Sequence, residues 1–255
     1  MEKKKVTLSI AIAVYNEEAN LDACLASVAA IADEIVVVDG GSTDSTRAIA
    51  KKHTNKIIQT DNPPIFHINK QKAIAACTGD WILQLDADEV IPEDLLAEIV
   101  RIISNKQETN GYYIPRKNYF WGRWMRKGGQ YPDYVIRLVR RGKARFPAKT
   151  VHEQIEVEGG VGHLVHPMLH YSYKTRGDYW KKADTYTSLT AMELVNRKEN
   201  QLYLFIQYYL IKPVMTFVSL YIRHKGFMDG LTGFEFALYS ALHFPIAYHK
   251  YLKLI

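Results

Sequence analysis

Three carboxylates close the stretch LQLDADEV (83–90): Asp86, Asp88 and Glu89, with only Ala87 interrupting them. The residues before them, Trp81, Ile82, Leu83 and Leu85, read as a buried strand. Gathering acids at the end of such a strand costs both desolvation and mutual repulsion. In an extended chain Asp86 and Asp88 leave the same side, and Ala87 leaves room for a ligand to approach. Two hard oxygen donors there suit Mg²⁺ or Mn²⁺ shared with phosphate oxygens, because these ions keep positions open for substrate. The plainer alternative is that the acids cap a helix beginning near Pro92. Asn16-Glu17 and Asp39 fall at equivalent strand ends, which favours a site over a cap.

The elements that must position those ends alternate in type. VTLSIAIAV (6–14) is strand-like, and Leu21, Cys24, Leu25, Val28 and Ile31 then recur at helical spacing. EIVVVDG (34–40) is the β-branched run expected of a strand buried on both faces. A Gly-Gly turn with a Ser42/Thr43 cap predicts a helix as far as His53. KIIQT (56–60) predicts a short strand, 69–77 a helix, and 80–86 another strand. A helix from Pro92 is expected to bury Leu95, Leu96, Ile99, Val100 and Ile103. Repeated β-α-β units imply an α/β fold with a mostly parallel, doubly wound sheet. Ligands of such sheets bind beyond the carboxyl ends of the strands.

After residue 105 the pattern changes. GYYIPRKNYFWGRWMRKGGQYPDYVIRLVRR is rich in aromatics, glycine and arginine, and predicts an antiparallel extension. From about Asp178 the chain reads as helical. Residues 202–222 are strongly apolar but interrupted by Gln207, Lys212 and Pro213. A central Lys-Pro is awkward in a membrane-spanning helix. An interfacial helix pair flanked by Arg223, Lys225, Lys250 and Lys253 fits better, with a buried core helix as the alternative.

Charge is unevenly placed. Residues 1–104 carry 10 Lys/Arg against 16 Asp/Glu, whereas 105–149 carry 12 against 2. An acidic first part followed by a basic segment suggests a site that holds a cation and binds an anionic substrate. The two cysteines, Cys24 and Cys77, imply neither a disulfide framework nor a thiolate metal site, and fit a reducing cytosol. Lys3, Lys4 and Lys5 before LSIAIAV imitate a signal peptide. The run is better read as a first strand.

Other chemistries lack their signatures. There is no Walker A loop, no G-x-G-x-x-G after a strand and no G-x-S-x-G elbow. His152-Glu153 begins like a zincin motif, but Glu156 stands where the second histidine belongs. His163, His166 and His170 have metal-like spacing, although three histidines in a strand-rich stretch also suit structural roles.

IAVYNEEANL (12–21), IVVVDGGSTDST (35–46) and GDWILQLDADE (79–89) together resemble the family 2 glycosyltransferases, which have the GT-A fold. Across residues 111–255 the chain is similar to the bacterial branch that glucosylates the lipopolysaccharide inner core, through YPDYVIRLVRR, VHEQI, HYSY and GFMDGLTG. The resemblance implies a divalent metal (Mn²⁺ or Mg²⁺), a UDP-hexose donor, a lipopolysaccharide-core or other glycolipid acceptor, and work at the inner face of the membrane. It implies nucleotide-sugar binding by residues 1–105, an acceptor and catalytic subdomain at 106–175, and a helical membrane-interface segment at 176–255.

Roles follow residue by residue. Tyr15 and Glu17 would line the nucleotide pocket, with Asp39 accepting from uracil or its ribose. Lys72 would touch phosphate or base, or else be a helix-surface lysine. Asp86 would contact the ribose or donor sugar, Ala87 would admit it, and Asp88 and His170 would hold the metal. The Gly128-Gly129 loop with Tyr131-Pro132-Asp133 would border the donor sugar. Arg137, Arg140 or Lys149 would offset charge on the leaving diphosphate. Glu153 is expected to be the base in an inverting reaction, with Asp133 as competitor. His152 stands where the family often has an acid, and Glu153 also suits a surface strand alternating with Ile155 and Val157. A polyprenyl-phosphate acceptor is the nearest competing function. A nucleotide-sugar sensor without catalysis is another. A nucleic-acid surface built on Tyr119, Phe120, Trp121, Arg123 and Trp124 is a third, but the carboxylate-lined strand ends would repel a phosphate backbone, so no nucleic acid is expected.

Overall fold

The structure, a computed structural model, describes residues 5–63, 65–105, 108–147, 154–197 and 199–255. The chain forms two compact units, Met1–Arg116 with Tyr134–His170, and Lys117–Asp133 with Tyr171–Ile255.

The first unit opens with alternating strands and helices: β1 (Leu8–Val14), α1 (Leu21–Val28), β2 (Glu34–Asp39), α2 (Thr46–His53), β3 (Ile57–Gln59), α3 (His67–Ala76) and β4 (Trp81–Leu85). β5 (Glu89–Val90) and α4 (Glu93–Ser104) follow. Along the chain then come β6 (Gly111–Phe120), which runs on into the second unit, β7 (Arg123–Trp124) within that unit, β8 (Asp133–Arg140), β9 (Ala144–Arg145), β10 (Glu156–Val157), β11 (Val161–His163) and β12 (Met168–Tyr173), whose last three residues belong to the second unit. The sheet runs β3-β2-β1-β4-β8-β6-β12-β5, with β11 and β7 also paired to β6. Its first four strands are parallel, and β8 enters antiparallel to β4. This is the mostly parallel sheet with antiparallel additions expected of a GT-A fold.

Why the strands are apolar on both faces is visible in β1 and β2. Ile10, Ile12 and Val37 pack with Leu83, Leu85, Leu21, Leu95 and Ile99 on one side. Ala11, Val36 and Val38 pack with Ile82, Ala73 and Ile74 on the other. Each fully buried Leu or Ile contributes about 1.5–3 kcal/mol, so slipping a strand by one residue gains nothing and register is set by side-chain size. The signal-like N-terminal run is thus the buried strand β1.

Two local readings need correction. The Ser42/Thr43 cap does not start α2, which begins at Thr46. Ser42 instead accepts from the Asn16 backbone N–H, and the Thr43 N–H donates to Asn16 Oδ1. On α4, Val100 faces solvent while Glu98 is buried. The backbone N–H groups of Val165 and His166 converge on the Glu98 carboxylate and make its burial tolerable.

The second unit contains α5 (Arg176–Arg197) and a continuous helical rod over Gln201–Arg223. The rod runs α6 (Gln201–Phe205), a wide π turn (Ile206–Ile211), α7 (Lys212–Phe217) and a second π turn (Val218–Arg223). Pro213 has no N–H and its ring would clash with a tight preceding turn. The widened turn before it, where the Lys212 N–H reaches Gln207 O, accommodates it without breaking the rod. A 3₁₀ turn (Gly226–Asp229) reverses the chain into α8 (Gly230–Leu252). Gly233 permits that reversal, since a Cβ there would meet Gly226 O at 2.0 Å.

Candidate active site

The parallel strands deliver three carboxyl ends to one edge of the first unit. β4 ends at Leu85, and Asp86–Glu89 turns back on itself: the Asp86 N–H donates to Glu89 Oε2 at 2.9 Å and the Glu89 N–H to Asp86 O at 3.0 Å. Alternation continues through this turn, leaving Asp86 and Asp88 half-buried while Ala87 and Glu89 point inward. Glu89 is 0 % exposed.

That burial is balanced by cations from distant segments. Arg137 on β8 places Nη2 2.6 Å from Asp86 Oδ2 and 2.7 Å from Glu89 Oε1, and also donates to Gln84 Oε1. Lys70 on α3 sits 2.5 Å from Asp86 Oδ1, and Arg116 on β6 lies 3.7 Å from Glu89. Burial alone would raise the Asp86 carboxyl, but Arg137 and Lys70 overcome it and hold it well below the usual carboxylate range. Asp86 is therefore ionised at neutral pH. Two of the three carboxylates are neutralised by the protein itself, so a bound cation is not needed to explain their closeness.

Asp88 is placed differently. Its Oδ2 lies 3.5 Å from His170 Nε2, because β12 pairs antiparallel with β5 and sets His170 opposite Glu89. Two donors ligating one Mg²⁺ or Mn²⁺ sit about 3 Å apart, given metal–ligand bonds of about 2.1 Å. The Asp88–His170 pair fits such an ion. Among the described residues no group of three or more His, Cys, Asp or Glu side chains is placed to hold one metal ion, so most positions would be left to water and substrate oxygens, as these ions favour. The other histidines are used elsewhere: His166 is tied to Glu98 at 2.9 Å and His163 stacks on Tyr113.

Beside Asp86 a cleft of about 280 Å³ is lined by Phe66, His67, Lys70, Asp86, Arg137 and Phe146, among others. His67 stacks on Phe146 with centroids 4.8 Å apart. A floor of paired charges with an aromatic wall suits a polar ring.

At the ends of β1 and β2, Asp39 is 1 % exposed. Its Oδ1 accepts from the Ser42 N–H, whereas Oδ2 is buried without a hydrogen bond and has Arg47 Nε at 3.6 Å. An acceptor oxygen so placed is suited to a donor N–H or O–H from a ligand. Tyr15 is 45 % exposed at the same edge, and Glu17 accepts from Asn20 and donates its own N–H to Thr46 Oγ1.

The structure thus groups Asp86, Ala87, Asp88, Arg137 and His170 at the ends of β4 and β5, and Tyr15, Glu17 and Asp39 at the ends of β1 and β2. Lys72 instead donates to Thr60 Oγ1 at 2.6 Å. Lys70 takes the place beside Asp86, because two residues along a helix turn the side chain by about 200°. The spacing of His67, Lys70 and Ile74, all buried, marked Lys70 as inward-facing. Arg140 does not reach the site: the antiparallel register sets it against Trp81, at the opposite end of β4 from Asp86. Asp133 belongs to the second unit, where it accepts from Asn118 at 3.0 Å. Lys149, His152 and Glu153 lie outside the described residues. Local sequence assigns no role to Glu89, Gln84, Lys70 or Arg116. An inward-facing acid announces that it needs a cation, but not which one.

Residues 9–164 match the family described as Glycosyl transferase family 2. The chain is 31 % identical over 255 residues to the lipopolysaccharide core biosynthesis glycosyltransferase LpsC of Rhizobium meliloti (strain 1021), covering 94 % of this chain and 89 % of that protein. It is 28 % identical over 240 residues to the uncharacterized glycosyltransferase RT0209 of Rickettsia typhi (strain ATCC VR-144 / Wilmington), covering 89 % and 80 %. Among solved structures, glucosyl-3-phosphoglycerate synthase from Mycobacterium tuberculosis in complex with Mn²⁺ and UDP-glucose aligns with a TM-score of 0.36 and 22 % identity. That alignment spans 45 % of this chain and 44 % of the synthase, less than half of either.

Proposed function

The chain belongs to glycosyl transferase family 2, and from that premise we propose that it is a metal-dependent, inverting hexosyltransferase that moves glucose from UDP-glucose to a heptose of the lipopolysaccharide core. The observation that carries this reading is the pairing of an ionised, cation-held Asp86 with the adjacent Asp88–His170 pair at one strand end. One carboxylate is left as a fixed acceptor for sugar or ribose hydroxyls, and the other joins an imidazole as a donor pair for a divalent ion.

The roles divide accordingly. Asp39 accepts from the uracil or ribose through Oδ2, which has no hydrogen bond within the protein, and Tyr15 and Glu17 border the nucleotide. Ala87 turns its methyl into the core, so the donor approaches over the backbone between Asp86 and Asp88. Asp88 and His170 would hold a divalent ion, which would supply positive charge for the departing diphosphate. Arg137 and Lys70 keep Asp86 ionised and oriented, which places the hexose without reorganisation at the moment of reaction. An acceptor hydroxyl oxygen attacks the anomeric carbon as the carbon–oxygen bond to the diphosphate breaks, and its proton passes to a carboxylate, Glu153 or its competitor Asp133. Attack opposite the leaving group inverts the α-linked donor to a β-glycoside.

The three functional segments, 1–105, 106–175 and 176–255, and a cytoplasmic place at the inner membrane face are part of this proposal; the 31 % identity to LpsC supports the acceptor class. A polyprenyl-phosphate acceptor is the second reading, favoured by the exposed apolar rod 201–223. Purified protein is incubated with UDP-glucose, with and without Mn²⁺ and a core oligosaccharide, and products are identified by mass spectrometry. Metal-dependent gain of one hexose on the oligosaccharide is expected. No turnover with any sugar nucleotide under either condition sinks the reading.

A further inference from the structure

The rod Gln201–Arg223 is 23 residues long and apolar enough to cross a bilayer, yet within it only Leu204 and Tyr208 are buried in the fold. Its inward side, with Leu204 and Tyr208, packs with Tyr248 of α8. The outward side presents Leu210, Val214, Met215, Val218 and Ile222, with Val214 and Met215 more than 60 % exposed. The single charge in its middle does not interrupt that surface. Lys212 turns inward, its Nζ 3.9 Å from the Tyr208 ring centroid and 5.9 Å from that of Phe244.

The turn at the end of the rod is cationic. Arg223, His224 and Lys225 are exposed there, next to exposed Phe227 and Met228. A second segment is stitched to it: Asp229 accepts the backbone N–H groups of Arg126 and Lys127, and the Gly128 N–H donates to His224 O. This brings the exposed Arg123, Arg126 and Lys127 beside the turn. No Asp or Glu occurs between residues 201 and 228, and Asp229 is buried with its oxygens taken. Lys250, in contrast, is spent on Asp184, Thr187 and Ser188, which fastens α8 to α5. Arg176 and Glu235 fasten the same pair at 2.7 Å.

We infer that this face of the second unit binds an anionic phospholipid surface, with the rod lying in the membrane plane. The apolar outer side enters the acyl boundary while Arg123, Arg126, Lys127, Arg223 and Lys225 meet headgroup phosphates. The rod does not span: α8 holds its inner side, and α8 is itself pinned to α5 by charged contacts that a bilayer core would not admit. This deepens the membrane placement proposed above, but vesicle binding requires no sugar, donor or acceptor. Its failure leaves the transfer reading intact, and failed transfer leaves it intact.

The test uses the full chain with vesicles of phosphatidylcholine containing phosphatidylglycerol, and of phosphatidylcholine alone, read by flotation, with light scattering for oligomeric state. Binding at least about tenfold tighter to the anionic vesicles, weakening as salt rises, is expected. Lys225→Ala should weaken it about fivefold, the share of one cation near the surface. Val214→Glu with Met215→Glu should abolish it while circular dichroism stays unchanged. Equal affinity for both vesicle types overturns the inference, and so does absence of binding. A dimer dissolved by the glutamate pair, with no vesicle binding, assigns the face to a second copy instead and also overturns it. The salt series on the unaltered protein decides the matter even if the glutamate pair fails to fold.

Discussion

Arg137 Nη2 stands 2.6 Å from Asp86 Oδ2, and the same nitrogen lies 2.7 Å from Glu89 Oε1. One guanidinium from β8 thus bridges two acids that the end of β4 places side by side. Arg137 is 5 % exposed and Glu89 0 %, so breaking the bridge leaves a fully buried carboxylate without its nearest cation.

Arg137→Met should therefore destabilise the first unit by about 3–5 kcal/mol, the usual cost of stranding a buried partner. Urea unfolding measures this directly. An unchanged midpoint would mean that Lys70 and Arg116 suffice without it.

Glu89 touches Asp86 through the backbone and through Arg137, and it is fully buried. Glu89→Gln keeps the shape and the acceptor for the Asp86 N–H but removes the charge. Turnover should fall about 10- to 100-fold, as for partners that orient a metal or substrate ligand, with KM for the donor little altered. A change in KM alone would assign Glu89 to binding rather than positioning.

Asp88→Asn and His170→Ala each remove one donor of the proposed ion pair. Both should shift the Mn²⁺ concentration for half-maximal turnover upward, by about tenfold or more, while the fold is retained. Chelation should silence the unaltered enzyme and added Mn²⁺ restore it. Turnover indifferent to chelator would remove the metal from the mechanism.

Glu34 carries a pH dependence of a different kind. Burial pushes its carboxyl up, but Lys56, Ser9 and Thr78 hydrogen-bond to it and bring it from 4.5 down to about 2. A depressed folded value means the stabilisation is fully present above pH about 4.5 and disappears as pH falls toward 2. It amounts to roughly 2–3 kcal/mol, allowing for partial solvent screening. Glu34→Gln should flatten the acid limb of the stability curve in that window, read by far-ultraviolet circular dichroism. A limb of unchanged slope would count against the assignment.

Gly233→Ala tests the reversal between the rod and α8. The added Cβ would collide with Gly226 O, so the second unit should lose stability by several kcal/mol and become protease-sensitive within residues 201–252. Resistance equal to that of the unaltered chain would show that the turn can open freely.

Much of this protein was legible without coordinates, for a local reason. Periods of 2 and 3.6 are properties of neighbouring residues, so β1, β2, β4 and their helices, and the acids at their ends, follow from LSIAIAV, EIVVVD and WILQLDADE alone. What neighbours cannot specify is which distant side chain closes a pair. Arg137 is 51 residues from Asp86 in sequence and meets it only because β8 enters antiparallel beside β4 in one register. That register, set by packing Leu138 and Val139 into two cores, also sends Arg140 to the wrong end. Lys70 rather than Lys72 reaches the site because α3 has one face to bury. Lys212 ceases to interrupt the apolar rod because Tyr208 and Phe244 shelter it. Local sequence sets where the strands end and which acids stand there; three-dimensional packing sets which cations answer them, since charge pairing depends on distance in space and distance along the chain is silent about it.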